Sequence, residues 1–230
     1  MIRSRIRLHH STVGKGLLIM AAAAILTLTG VTSPASATTG MAPLGGGSGI
    51  AILQTDGSAA LCTLTTIGYD QRGELIGLTA GHCGDAGSTV LSELWPLRGP
   101  VGVIDQVNSD LDYALIRFDR SAVRPLRTVG GVTIRSVQVT PPQFPDIACK
   151  DGRTSGHTCG IVWISGHEVH ITQMCVIEGD SGSPVVVGDR LIGMVNAYFE
   201  IACLGPEKGT NIGPVMQDLQ RRGVTGYRLA

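Results

Sequence analysis

The chain has 230 residues, 18 basic against 18 acidic, so its formal charge is zero, and 4% of its residues are aromatic. No dense basic run occurs beyond its first fifteen positions, which argues against a nucleic-acid partner. The length suits one all-β domain or two small packed halves.

The first element is a targeting segment. MIRSRIRLHH opens the chain, Arg3, Arg5, Arg7 and Lys15 are its charges, and an apolar run extends from Leu17 to Leu28 before Ala35-Ser36-Ala37. A basic start, a short apolar core and an A-x-A end predict a secretory signal peptide over residues 1–37, cut after Ala37. The competing reading is a retained anchor, but the run is short for a span of about 20 residues. Cleavage leaves 193 residues, with 14 basic against 18 acidic ones once the four leader charges are gone. Cys62, Cys83, Cys149, Cys159, Cys175 and Cys203 all lie beyond the cut. An even count in an exported chain reads as disulfides, with the pairing left open by spacing alone. Metal ligation lacks any C-x-x-C pair, and neither metal nor cofactor is expected.

After a short segment at 38–48, a single domain is expected over 49–230. Apolar runs rich in Val, Ile, Leu and Thr follow in order: GIAILQ, LCTLTTIG, ELIGLTA, VGVIDQV, DYALIRF, VTIRSVQV, EVHITQ, SPVVV and RLIGMVNAY. Gly, Asp, Asn and Pro separate them, which predicts strands joined by tight loops and an all-β sandwich or barrel. A softer stretch near 125–146 reads as a crossing between two halves. One helix is predicted over PVMQDLQRR, with Pro214 in its first turn and Gly223 past its end.

Three loops on this scaffold carry chemistry. TAGHC puts His82 at the end of an apolar strand, LDYAL puts Asp112 just before another, and GDSGSPVV sets Ser181 between glycines. Gly and Asp there also suit an ordinary turn between strands. A serine hydroxyl is a poor nucleophile near neutral pH. It needs an imidazole to take its proton and a carboxylate to fix that imidazole's tautomer. All three residue types stand at strand ends, where closing a barrel can bring them together.

The ordered motifs TAGHC, LDYAL and GDSGSP resemble those of the chymotrypsin-type serine proteases. ACKDGRTSGHTCG, residues 148–160, is similar to the C-x-x-G-x-T-x-G-x-x-C-G segment of the bacterial α-lytic protease and streptogrisin branch. The likeness runs from about Gly49 to the C-terminus. It implies two six-stranded antiparallel β-barrels around a cleft, with a C-terminal helix. His82 is then the general base and acid, Asp112 its orienting partner and Ser181 the nucleophile, with the N–H groups of Gly179 and Ser181 as oxyanion hole. It also implies the pairings Cys62–Cys83, Cys149–Cys159 and Cys175–Cys203. An ion pair between Lys150 and Asp180 is expected to hold the nucleophile loop, because Lys150 stands where the branch usually has Arg. A polypeptide substrate, a secreted monomer and no membrane contact after signal removal complete the expectation.

Departures from the pattern bear on specificity. Ser183 replaces a Gly, Asn196 a Ser beside the triad Asp, and Tyr198 a Gly on the pocket wall. Only about a dozen residues separate Ala37 from Gly49, too few for the long pro-region of bacterial relatives. The resemblance places the pocket at Gln173, Met174 and Val195, Asn196, Ala197, Tyr198, with the loop after Cys203. No acid lies at its base, which argues against Lys or Arg and for Ala, Val or Leu as the residue preceding the cut. The alternative function is a protease-shaped binding module with an occluded pocket. GHEVH lacks the H-E-x-x-H spacing of a zinc helix, and alternation puts His167 and His170 on opposite faces. His157 reads as a loop residue, and Trp95 and Trp163 as packing residues.

Overall fold

The computed structural model describes residues 40–230, and the signal peptide expected over residues 1–37 lies outside the described residues. The first half contains β1 (Ala42–Gly45), β2 (Gly49–Leu53), β3 (Ala59–Thr63), β4 (Thr66–Tyr69), β5 (Leu75–Ala80), β6 (Thr89–Ser92), β7 (Pro100–Asn108) and β8 (Tyr113–Phe118). β2 to β8 lie in one sheet in the order β4-β5-β8-β7-β6-β2-β3. β3 and β4 are two stretches of one bent strand: at the bend, the N–H of Leu64 donates to Ser48 and that of Thr65 to Leu78. Counted so, six antiparallel strands close the first barrel.

β5 and β8 read as unbroken apolar runs because both of their faces are buried. Along β8, Ala114, Ile116 and Phe118 enter the core of the first barrel with Ile50, Ile52 and Leu64. The alternate residues Tyr113 and Leu115 pack instead with Leu191, Met194 and Val215 of the second half. The strand period of two therefore makes β8 a wall shared by two cores, and it fixes the position of whatever stands at its start.

β9 (Val123–Leu126) pairs in parallel with β1, and β10 (Thr128–Val129) forms a small hairpin with β11 (Val132–Thr133). After β12 (Ser136–Val137) comes the second barrel. Its strands are β13 (Ile147–Gly152), β14 (Gly156–Ser165), β15 (Val169–Thr172), β16 (Pro184–Val187), β17 (Arg190–Tyr198) and β18 (Glu207–Asn211). The order β17-β16-β13-β14-β15-β18 closes into a ring through the β17–β18 pairing. The helix α1 (Ile212–Arg221) starts two residues before the expected Pro214 and buries Ile212, Val215 and Leu219 along one stripe. β19 (Arg228–Leu229) then pairs with β4. Among the described residues no helix is long and apolar enough to cross a membrane.

Several strands carry little apolar signal. β18 reads EKGTN, yet Glu207, Gly209, Thr210 and Asn211 are buried in it. Trp95 and Trp163 are surface residues, 40% and 48% exposed, which corrects the packing role expected for them. Trp95 lies under Arg98, and Trp163 stacks on Phe144. His157 stands in β14 rather than in a loop.

Candidate active site

His82, Asp112 and Ser181 meet between the barrels. His82 follows β5 in a single 3₁₀ turn, Gly81–Cys83, and Asp112 immediately precedes β8, which pairs with β5. A side chain at Gly81 would press on the backbone of Asp112 and Tyr113, so a glycine lets the two segments approach. Asp112 has φ +48°, a left-handed conformation that Asp tolerates better than most residues. It is held there from both sides. The His82 backbone N–H donates to Asp112 Oδ1 (2.8 Å), and the ring Nδ1–H donates to Oδ2 (2.9 Å). Asn196 Nδ2 donates to the Asp112 carbonyl (2.7 Å) and to its Oδ2 (2.8 Å). The Asn196 Oδ1 in turn accepts from the Thr210 N–H (2.8 Å).

With Nδ1–H committed to Asp112, His82 Nε2 is left as an acceptor for the Ser181 hydroxyl, 2.8 Å away. The hydrogen bond to Asp112 holds the imidazole above its ordinary pKa, against a smaller opposing effect of burial. Burial alone would raise the Asp112 carboxyl, but the donors from His82 and Asn196 hold it below its usual value.

Both barrels hold the loop bearing Ser181. Thr63 Oγ1 donates to the Gly179 carbonyl (3.0 Å), the Thr63 N–H to the Ser181 carbonyl (2.8 Å), and the Gly182 N–H to Val195 (2.7 Å). Neither the Gly179 nor the Ser181 N–H has an acceptor among the described residues. Gly179 has φ +92°, so only a glycine adopts this backbone without strain. Asp180 is buried beneath. Lys150 Nζ lies 3.1 Å from its Oδ2, both side chains are 0% exposed, and the N–H groups of Thr154, Ser155 and Ile177 also donate to the carboxylate. The Ser155 hydroxyl donates to the same carboxylate and accepts from Lys150. Burial lowers the Lys150 pKa. Ser183 uses its added side chain to donate to the Asp180 carbonyl (2.5 Å).

Disulfides join Cys62 to Cys83, Cys149 to Cys159 and Cys175 to Cys203. The first links β3 to the turn carrying His82. The third links the segment before Ser181 to the loop after β17.

No family model matches the chain. Among solved structures, a Nocardiopsis protease superposes with a TM-score of 0.65 at 21% identity, covering 78% of this chain and 97% of that one. Thermobifida fusca protease A gives 0.62 at 23%, covering 80% and 100%, and a Cellulomonas bogoriensis chymotrypsin gives 0.61 at 24%, covering 82% and 99%. The fold is that of the bacterial chymotrypsin-like serine proteases.

Within this protease fold, the expected specificity pocket is only partly assembled. Met174 and Val195 are 1% exposed and belong to the core of the second barrel with Ala148 and Ile192. Gln173 turns outward, donating to the Leu204 carbonyl (3.1 Å) and accepting from Trp163 Nε1 (3.4 Å). None of these three is among the residues lining the cavity beside Ser181. The physical reason for Val195 is an irregularity of register between Val195 and Ala197, which leaves Val195 in the core and brings the next three residues to the cleft. The cavity beside Ser181 holds about 270 Å³ and is lined by Val176, Ile177, Glu178, Asn196, Ala197 and Tyr198. A larger one of about 500 Å³ opens on the other side of Ser181, against His82, Leu61, Arg153 and Glu178. Sequence reasoning missed Glu178 and Arg153. Glu178 is three residues before the nucleophile and was open to detection; Arg153 reaches the cleft only through the folding of the β13–β14 turn.

His167 is exposed in the turn between β14 and β15, outside either strand, so the alternation expected for it does not apply, and His170 is buried in β15. His170 Nδ1–H donates to Asn211 Oδ1 (2.9 Å), and its Nε2 faces Glu207 Oε1 at 3.7 Å. Burial pushes Glu207 up to about 8 and His170 down to about 4.

Proposed function

We propose that this protein is a secreted serine endopeptidase that hydrolyses peptide bonds through an acyl-enzyme. The observation that carries the reading is the 2.8 Å contact of Ser181 Oγ with His82 Nε2, while His82 Nδ1 is committed to Asp112. In this reading His82 takes the Ser181 proton as the hydroxyl attacks the carbonyl, then gives it to the leaving amine. Asp112 fixes the tautomer and stabilises the charged imidazole. The Gly179 and Ser181 N–H groups receive the oxyanion, an effect of several kcal/mol in systems of this kind. The Lys150–Asp180 pair holds that loop in its receiving shape without a cleavage step. Three disulfides support an extracellular setting.

A protease-shaped binding module is the weaker reading, because an open cavity of about 270 Å³ stands beside Ser181. The test is turnover of a peptide library by the wild type against Ser181→Ala. The same library reads the pocket. Its apolar wall and modest volume suit Ala, Val or Leu, and Tyr198, 38% exposed, forms one side. Tyr198→Gly is expected to raise kcat/KM for Phe or Leu substrates by about tenfold, the worth of roughly one or two methylene-sized groups in an apolar pocket. An unchanged preference after Tyr198→Gly contradicts this assignment of the wall.

A further inference from the structure

Two cavities flank Ser181, and Glu178 and Ser181 line both of them. On the proposed peptidase reading, which this inference rests on, the cavity bordered by His82 receives the leaving chain, because His82 must reach the leaving nitrogen. Two other charges lie near that cavity, and they neutralise each other. Arg153 Nε donates to Glu93 Oε2 (2.7 Å), its Nη2 donates to Glu93 Oε1, and its Nη1 to Thr154 Oγ1 (2.8 Å). With side chains 18% and 27% exposed, this pair is largely screened from a ligand by its own partners. Glu178 is different. It is exposed, and it makes no hydrogen bond or ion pair among the described residues. The leaving-side cavity therefore carries one unmatched negative charge, beside an apolar wall of Ala59, Ala60 and Leu61.

A carboxylate at the rim of an apolar wall matches a side chain with a long alkyl stem and a cationic head. The stem covers the wall while the head stays hydrated near the carboxylate. We propose that Glu178 is a specificity-determining residue that selects Lys or Arg within the first two residues after the scissile bond and disfavours Asp or Glu there. The cavity on the acyl side, lined by Val176, Ile177 and Tyr198, is smaller, about 270 Å³ against about 500 Å³, and gives such a stem less room.

The test uses internally quenched peptides that share one acyl side and carry Lys, Gln or Glu at the two positions after the cut. Wild-type kcat/KM is expected to fall from Lys to Gln to Glu by two- to fivefold per step at low salt, the range of a single exposed charge pair, and the steps should shrink in 0.5 M salt. Glu178→Gln should bring the three within twofold of one another, and Glu178→Lys should reverse their order. Equal wild-type rates for all three peptides overturn the proposal alone. So does a charge preference that survives Glu178→Gln, or one that appears only when the charge is moved to the acyl side. Absence of any Ser181-dependent cleavage overturns the peptidase reading itself, and this proposal with it.

Discussion

Ser181→Ala is expected to lower kcat on a peptide or ester substrate by about 10⁴–10⁶-fold, and His82→Ala by a similar factor. The Ser181 hydroxyl and the His82 ring act as one unit through their 2.8 Å contact, so the double variant should be no slower than either single one. Both variants should fold, because His82 is half exposed and neither residue belongs to a core. The pH profile follows from the same geometry. His82 must be neutral to accept the serine proton, so kcat/KM rises as pH climbs through its pKa. Hydrogen bonding to Asp112 holds that pKa above 6.5, which places the rising limb above that pH. Asp112→Asn should move the limb downward and lower kcat, since the carboxylate that stabilises the charged ring is gone. Additive losses in the double variant, or a limb that ignores Asp112→Asn, contradict the unit.

The second large effect is on stability. Lys150→Met removes one member of a fully buried pair and leaves the Asp180 carboxylate inside the second half without its cation. Breaking such pairs typically costs 3–5 kcal/mol. Asp180 keeps its donors from Thr154, Ser155 and Ile177, so the lower end, about 3 kcal/mol, is expected here. For a domain of this size that lowers Tm by roughly 6–12 °C. The loop carrying the Gly179 and Ser181 N–H groups rests on Asp180, so kcat should fall as well, even at temperatures where the variant is folded. Adding Asp180→Asn should restore part of the stability, because the uncompensated charge is then removed. A Tm change below about 1 °C in Lys150→Met contradicts the role given to the pair.

The chemistry was legible because its residues sit at strand ends beside recognisable runs. LIGLTA and YALIRF are apolar on both faces, and the residues that terminate them, His82 and Asp112, fall together once β5 and β8 pair. Ser181 was legible from its glycines. What stayed hidden were strands whose buried residues are polar. Glu207 in β18 is 0% exposed, and its partners Thr172 and His170 come from β15, a segment that no local pattern connects to it. The same limit explains Met174 and Val195. Met174 packs in the core of the second barrel, and Val195 stands beside a register irregularity in β17, which a motif carried over by likeness does not reveal. β1 escaped because APLG has almost no strand signal, and it is held by parallel pairing with Val123–Leu126. Glu178, exposed and unpaired, matters only because folding sets it at the junction of two cavities.

The most direct measurement of the central claim is active-site labelling with a fluorophosphonate, followed by peptide mapping. Only a serine activated by a neighbouring base reacts at an appreciable rate. Stoichiometric modification of Ser181, abolished in His82→Ala and faster as pH rises above 6.5, is the predicted result. A folded protein that leaves Ser181 unlabelled, or one that labels equally well without His82, contradicts it.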